Sequence, residues 1–258
     1  MKDAASNIFD SLNQIEQTIF PFDYPAGNAS WFDTVEGVCP VLFSAPHACR
    51  HLRDDSEKMN EEYTAAMAVY AARMTDSHAI YTTRKSIEDP NWVAAGEYKS
   101  EISRLVRERD IRLVIDVHGM TNRHQMGVAL GTMAGRSMPG VDVTSPFVDS
   151  GFLPVAAEDV GDPLPMIPGK PLAAGAGAEK YWNTVVVDHP RFTGGLRHHT
   201  VTRYAVEVLG LSALQVELAS VNRIVHRAAT EGWPFDYRGN PAGIVASTNA
   251  LMALPGLI

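Results

Sequence analysis

The stretch DIRLVIDVHG, residues 110–119, decides how this chain is read. From Leu113 to Val117 it is apolar apart from Asp116, the pattern of a strand covered on both faces. It ends on His118 and Gly119, so an imidazole stands at the carboxyl end of a buried strand. In open α/β sheets, ligands bind outside the carboxyl ends of the strands. Working outward, five further apolar runs read as strands: VCPVLFSAPHA (38–48), SHAIYTTR (77–84), MGVALGTMAG (126–135), NTVVVDHP (183–190) and LSALQVELA (211–219).

Helical patterns lie between and around them. SNIFDSLNQIEQTIF (6–20) places Ile8, Leu12, Ile15 and Ile19 on one face, with Ser6 as its N-cap. NEEYTAAMAVYAARMTD (60–76) is built of good helix formers. WVAAGEYKSEISRLVRERD (92–110), HTVTRYAVEVLG (199–210) and SVNRIVHRAATEG (220–232) complete the set. The turn-rich stretch 21–37 reads as loop with an edge strand. Alternating strands and helices predict an α/β fold of three layers, a mostly parallel or mixed central sheet with helices on both faces. A single domain is expected over 1–258, with a Gly/Pro-rich excursion at about 135–180 beside the active site.

Composition narrows the function. The 258 residues carry 22 Lys and Arg against 30 Asp and Glu, a net charge of −8. That balance argues against a nucleic-acid or membrane-surface binder, and a small-molecule substrate is expected instead. Two cysteines, Cys39 and Cys49, exclude a disulfide scaffold and a Cys-rich zinc module. No apolar run is long enough to span a bilayer. The first residues lack the apolar core of a secretory signal, so the expected compartment is the cytoplasm. Nine histidines against two cysteines mean that any metal site must be built from histidine and carboxylate.

Three polar positions stand at or inside the apolar runs. His47 closes VLFSAPH, His118 closes RLVIDVH, and Glu217 lies inside ALQVELA. Each alone reads as a satisfied polar residue at an element end. Two strand-end histidines with carboxylates nearby read better as metal ligands. A hydrolytic zinc site needs about three protein ligands and one open position, and imidazole and carboxylate suit zinc. The third ligand is expected shortly after His47, among Asp54, Asp55, Glu57, Glu61 and Glu62. The short helical zinc motifs are absent: Arg50 and Ala48 stand where HxxE and HExxH need glutamate. Glu61 and Glu62 are placed in the first turn of the Ala-rich helix, where the helix dipole also favours a glutamate. Glu217, a carboxylate among apolar neighbours, needs a partner or a job. General base beside a metal is that job. Asp116 points to the same side of its strand as His118 and would accept a hydrogen bond from a ligand histidine.

Four segments, in order, resemble the N-formylglutamate amidohydrolase family: SAPHACRHLRD (44–54), NEEYTAAMA (60–68), IDVHGM (115–120), and FTGG (192–195) followed by ALQVELA (213–219). The resemblance implies a phosphorylase/hydrolase-like fold related to the zinc carboxypeptidases. It implies one zinc ion per chain, other divalent ions being compatible, held by His47, Glu61 and His118. Glu61 is favoured over Glu62 by aligning on Thr64. Glu217 would be general base and later proton donor. TRKSIEDPN (83–91) resembles the family's Arg- and Asn-containing stretch, giving Arg84 a catalytic role and Asn91 a substrate contact. Gly194, Gly195 and Arg197 would complete the substrate site. The implied reaction is hydrolysis of the amide bond of a small N-acyl (N-formyl) amino acid or related compound. Ala48 and Cys49 depart from the family's small residues after the first histidine. Two competing readings follow: a thiol enzyme pairing Cys49 with His51, and a small-peptide hydrolase or non-catalytic binding protein of the same fold.

Overall fold

The computed structural model describes residues 2–19, 30–165, 178–229 and 235–258. Its strands are β1 (Phe32–Val35), β2 (Cys39–Ala45), β3 (His51–Arg53), β4 (Ser56–Lys58), β5 (Ser77–Thr82), β6 (Leu113–Met120), β7 (Val128–Gly131), β8 (Leu153–Pro154), β9 (Thr184–Val187) and β10 (Ser212–Ala219). Its α-helices are α1 (Lys2–Ile19), α2 (Thr64–Met74), α3 (Glu97–Arg109), α4 (Ser145–Asp149), α5 (Ala178–Tyr181), α6 (Val201–Glu207), α7 (Ser220–Arg223) and α8 (Pro241–Ala253). Among the described residues, eight strands form one sheet in the order β1-β5-β2-β6-β10-β7-β9-β8. The centre, β5-β2-β6-β10, is parallel. The pairs β1–β5 and β7–β10 are antiparallel, so the sheet is mixed. All six apolar runs are strands of this sheet, and the edge strand expected in the turn-rich stretch is β1.

The side-chain period of two divides the sheet's residues between two helical layers. Val41, Phe43, Leu113, Ile115, Leu214 and Val216 join a core with α1, α2 and α8. Leu42, Ile80, Val114 and Ala213 face the other way, against Tyr98, Ile102 and Leu105 of α3 and Val201 and Ala205 of α6. Alanine at 65, 66, 68, 71 and 72 lets α2 lie close to the sheet. The fold is α/β with helices on both faces. No helix among the described residues is long and apolar enough to cross a membrane.

Two local expectations are corrected. The Ala-rich helix begins at Thr64, so Glu61 and Glu62 precede it rather than forming its first turn. The helix expected over 220–232 is one turn, Ser220–Arg223, because Ile224 is extended and gives its carbonyl to the Gly239 N–H. Arg227 then pairs with Tyr237 in an antiparallel bridge, and residues 230–232 lie outside the described residues. The excursion after residue 135 turns back into the main core through Met138, Val143, Phe147 and Phe152. Residues 166–177 of it are outside the described residues.

Two elements carry no expectation from sequence. One is the β3–β4 hairpin that follows His47. The other is α8, capped by Asn240 with Pro241 in its first turn.

Candidate metal centre

Register assembles the site. Parallel pairing sets Ser44 beside Asp116, Asp116 beside Gln215, and His118 beside Glu217. All five point to the α3/α6 side, where the strands stop being apolar as they approach their carboxyl ends. His47 follows the end of β2 in a turn. Its carbonyl accepts the N–H of Glu61 at 2.8 Å and so draws in the segment ahead of α2. His47 and His118 are 4 % and 2 % exposed, so neither imidazole reaches bulk water.

The Glu61 carboxylate lies between the two rings. Its Oε1 is 3.1 Å from His47 Nδ1 and its Oε2 is 3.1 Å from His118 Nδ1. The Gly119 N–H donates to the same Oε2 at 2.9 Å. Two atoms bound to one tetrahedral ion at about 2.1 Å stand about 3.4 Å apart. Each imidazole–carboxylate contact is near that spacing, one donor atom from each of His47, Glu61 and His118 lies within 4.8 Å of the others, and the three residues fit zinc in chemistry and number.

The outward nitrogens are fixed by partners. His47 Nε2 lies 2.8 Å from Asp89 Oδ1. His118 Nε2 lies 2.7 Å from Asn91 Nδ2 and 3.2 Å from Asp116 Oδ2. Such contacts orient a ligand imidazole and set which nitrogen faces the metal. His51 stacks on His47 with ring centroids 4.1 Å apart and 8° between planes. Asp89 also accepts from Arg53 Nε at 2.6 Å and from the Asn91 N–H at 2.8 Å. His47, His51 and Asp89 form a second group of close donors. With Asp89 engaged by these donors, the group serves to orient His47.

Charge explains the protonation states. Burial pushes His47 down, but Glu61 and Asp89 outweigh it and raise the ring to about 9. Burial likewise opposes a charged His118, and Asp116 and Glu61 hold it well above the ordinary histidine value. Burial pushes Glu61 up, while His47 and His118 hold it well below the usual carboxylate range. Asp89 is held low in the same way, against burial, by His47 and His51. Two buried imidazoles that favour positive charge around one ionised carboxylate form an arrangement that a divalent cation can replace.

Glu217 differs from these. Burial raises it to about 7, with His118 pulling it down and Glu61 pushing it up. A carboxyl group with a pKa close to neutrality can both take and give a proton at working pH. Its Oε1 accepts from Gln215 Nε2 at 3.2 Å, and Gln215 Oε1 accepts the Gly194 N–H at 3.0 Å. The FTGG and QVE segments are thus joined by one hydrogen-bonded chain.

The remaining expected residues are distributed as follows. Asn91 lies at the site, its Nδ2 against His118 and its Oδ1 accepting from the Val201 N–H at 2.8 Å, so both amide ends have partners. Gly194 and Gly195 have φ of 75° and 125°, which favour glycine. A Cβ at Gly194 would lie 2.7 Å from the Gly131 carbonyl oxygen, and one at Gly195 2.4 Å from Thr200 Oγ1. Close packing against β7 and the start of α6 therefore accounts for both. Arg84 is half-buried just past β5, its N–H on the Trp31 carbonyl at 3.3 Å. Arg197 is exposed on the loop before α6. Glu62 points away from Glu61 and pairs with Arg227 at 2.6 Å. Cys49 is buried, its thiol 3.6 Å from the Thr82 carbonyl oxygen.

Asp89 and Arg223 were not singled out from the sequence. Asp89 sits in the polar turn IEDPN, two residues before the Asn that was singled out. Arg223 is 5 % exposed, donates from Nε to the Leu218 carbonyl at 3.2 Å, and lies against Gly119.

No family model matches the chain, and no curated protein matches it. Solved structures do. The resemblance in fold is to the N-formylglutamate amidohydrolases. The enzyme of that name from Ralstonia eutropha JMP134 is 12% identical, with 86% of this chain and 95% of that chain covered and a TM-score of 0.48. A gene product of Agrobacterium tumefaciens is 14% identical over 90% of this chain and 97% of that one, with a TM-score of 0.47. A bacteriophage poly-gamma-glutamate hydrolase is 8% identical over 86% and 87%, with a TM-score of 0.38.

Proposed function

We propose that this chain is a metal-dependent hydrolase that cleaves the carbon–nitrogen amide bond of a small N-acyl amino acid, the N-formyl compounds included. The observation that carries this reading is the pairing of two unlike acids. Glu61 is ionised between two Nδ1 atoms, and Glu217, one strand from His118, has a carboxyl pKa near 7. Zinc held by His47, Glu61 and His118 would polarise the amide carbonyl and lower the pKa of water toward about 7. Glu217 then takes the proton of the attacking water and passes it to the leaving nitrogen. Gln215 keeps the Glu217 carboxyl aimed by holding Oε1. Asp89 and Asp116 accept at the two Nε2 atoms and keep the imidazoles presenting Nδ1, and Asn91 braces the His118 ring. Arg84 or Arg197 clamps a carboxylate of the substrate or faces the developing oxyanion.

The test is a screen of N-formyl, N-acetyl and peptide amides on metal-stripped protein with zinc added back. Glu217→Gln should still hold one zinc ion per chain and lose about 10²–10⁴-fold in kcat. Full turnover by that variant would remove the general-base assignment. Resistance to chelators with sensitivity to iodoacetamide would favour the thiol reading instead.

A further inference from the structure

We propose that α1 belongs to the metal centre: Glu16 is a positioning residue that holds the segment carrying Glu61 in its ligating geometry. This rests on the reading that His47, Glu61 and His118 hold a metal ion. Glu61 reaches the two histidines only because the chain reverses sharply between it and α2. The reversal is made by Tyr63, which occupies the N-cap position of α2 with φ 65° and ψ 0°. That is the left-handed region, in which a bulky side chain is disfavoured. An N-cap ordinarily has Ser, Thr, Asp or Asn to accept a helix N–H. Tyr63 makes no such side-chain bond. The conformation is secured from outside the segment.

The securing groups come from far along the chain. Glu16 Oε1, 47 residues away in sequence, accepts the Tyr63 N–H at 2.9 Å. The Tyr63 hydroxyl lies 2.7 Å from Asn13 Oδ1, one turn earlier on α1, and 2.9 Å from the His226 carbonyl oxygen. On the far side of the same segment, Arg223 donates to the Glu62 carbonyl and Arg227 pairs with the Glu62 carboxylate. Residues on either side of the reversal are fixed as well, the Glu61 N–H on the His47 carbonyl and the Thr64 hydroxyl on the Glu61 carbonyl at 2.7 Å. The Tyr63 carbonyl accepts the Met67 N–H at 3.0 Å within α2, and of these ties the Glu16 bond is the one from outside that acts on the backbone of the left-handed residue itself.

Glu16 is 8 % exposed, and the proposed reaction does not use it. Burial raises it to about 8, with the Tyr63 N–H and Arg223 lowering it and Glu62 raising it. At neutral pH it is mainly the neutral acid, and what Tyr63 needs from it is one acceptor oxygen at a fixed distance. Glutamine supplies the same oxygen at the same reach. Leucine has the size without the acceptor, and asparagine has an acceptor one methylene too short.

The test measures the zinc dissociation constant of the whole chain by competition with a chromophoric chelator, for wild type, Glu16→Gln, Glu16→Leu and Glu16→Asn. The metal-free Tm of each is recorded as a check on folding. Glu16→Gln should bind zinc within about twofold of wild type, and Glu16→Leu and Glu16→Asn about 10–100-fold more weakly, the range for groups that orient metal ligands. If Glu16→Leu does not fold, Glu16→Asn decides. Wild-type affinity in the folded leucine or asparagine variant overturns the proposal, as does equal weakening in Glu16→Gln. Failure of wild type itself to bind zinc would instead overturn the metal reading on which the proposal stands.

Discussion

The two faces of the central sheet treat their strand ends in opposite ways. Toward α2 and α8 the strands stay apolar to the end, at Ala45, Val117 and Leu218. Toward α3 and α6 they are apolar at Leu42, Val114 and Ala213, then polar at Ser44, Asp116, His118, Gln215 and Glu217. Burying polar and charged groups is unfavourable unless each is paired. The second face meets that condition with a closed network. Ser44 Oγ donates to Asp116 Oδ1 at 3.2 Å, and the Thr202 hydroxyl lies 3.4 Å from Oδ2. The lesson is that one face holds the fold and the other spends fold stability on chemistry. The same strands serve both because side chains alternate.

That contrast can be broken first at its centre. His118→Ala removes one of the proposed ligands and leaves Glu61, Asp116 and Asn91 facing a gap. Zinc content measured by elemental analysis should fall well below one ion per chain, and kcat/KM should drop on the order of 10³-fold or more. The neighbouring change on the opposite face, Ile115→Ala, should do the reverse. It should lower unfolding stability by about 2–5 kcal/mol in denaturant titration, while zinc stoichiometry and the pH profile of kcat stay as they were. Equal loss of metal from both variants would mean that the faces are not functionally distinct.

Asp89→Asn sharpens the comparison within the polar face. It keeps the shape and removes the charge that His47, His51 and Arg53 share. Zinc affinity should weaken by about 10–100-fold, read by chelator competition. A further effect is a slope. Burial raises the folded Glu16 carboxyl from the ordinary carboxylate value near 4.5 to about 8. A raised carboxyl binds its proton more tightly in the folded state. Its stabilising contribution is therefore complete below 4.5 and is lost as pH rises through about 8. Glu16→Gln has no proton to lose. Its stability relative to wild type, in metal-free protein, should climb between pH 5 and 8 by up to about 1.4 kcal/mol per pH unit. A flat difference would show that Glu16 does not titrate in that window.

Much of this was legible in the sequence because it is locally coded. A continuous apolar run marks a buried strand wherever it occurs, and a histidine closing such a run is conspicuous. His47, His118 and Glu217 were singled out in that way. Asp89 was missed because its role is set by three partners from elsewhere in the fold, while its own surroundings, IEDPN, look like any polar turn. The distinction between Glu61 and Glu62 has no local signal either. It is made by the left-handed Tyr63, and that conformation is imposed by α1. The helix α8 escaped for a different reason. It is buried at Gly243, Ile244, Ala246, Ser247, Thr248, Ala250 and Leu251, so its apolar and small residues do not gather on one side. The two amide contacts of Asn91 had no local signal, since both partners come from elsewhere in the folded protein.

Arg223 and Gly119 leave a mark on how this protein can vary. A Cβ at Gly119 would stand 2.5 Å from Arg223 Nε, while the Gly119 N–H is already committed to Glu61. The two positions are therefore epistatic. A Cβ at position 119 requires the Arg223 guanidinium to move, so Gly119→Ala should be tolerated better in a background where position 223 has been shortened. An evolutionary route that places a side chain at 119 is eased by a change at 223 first.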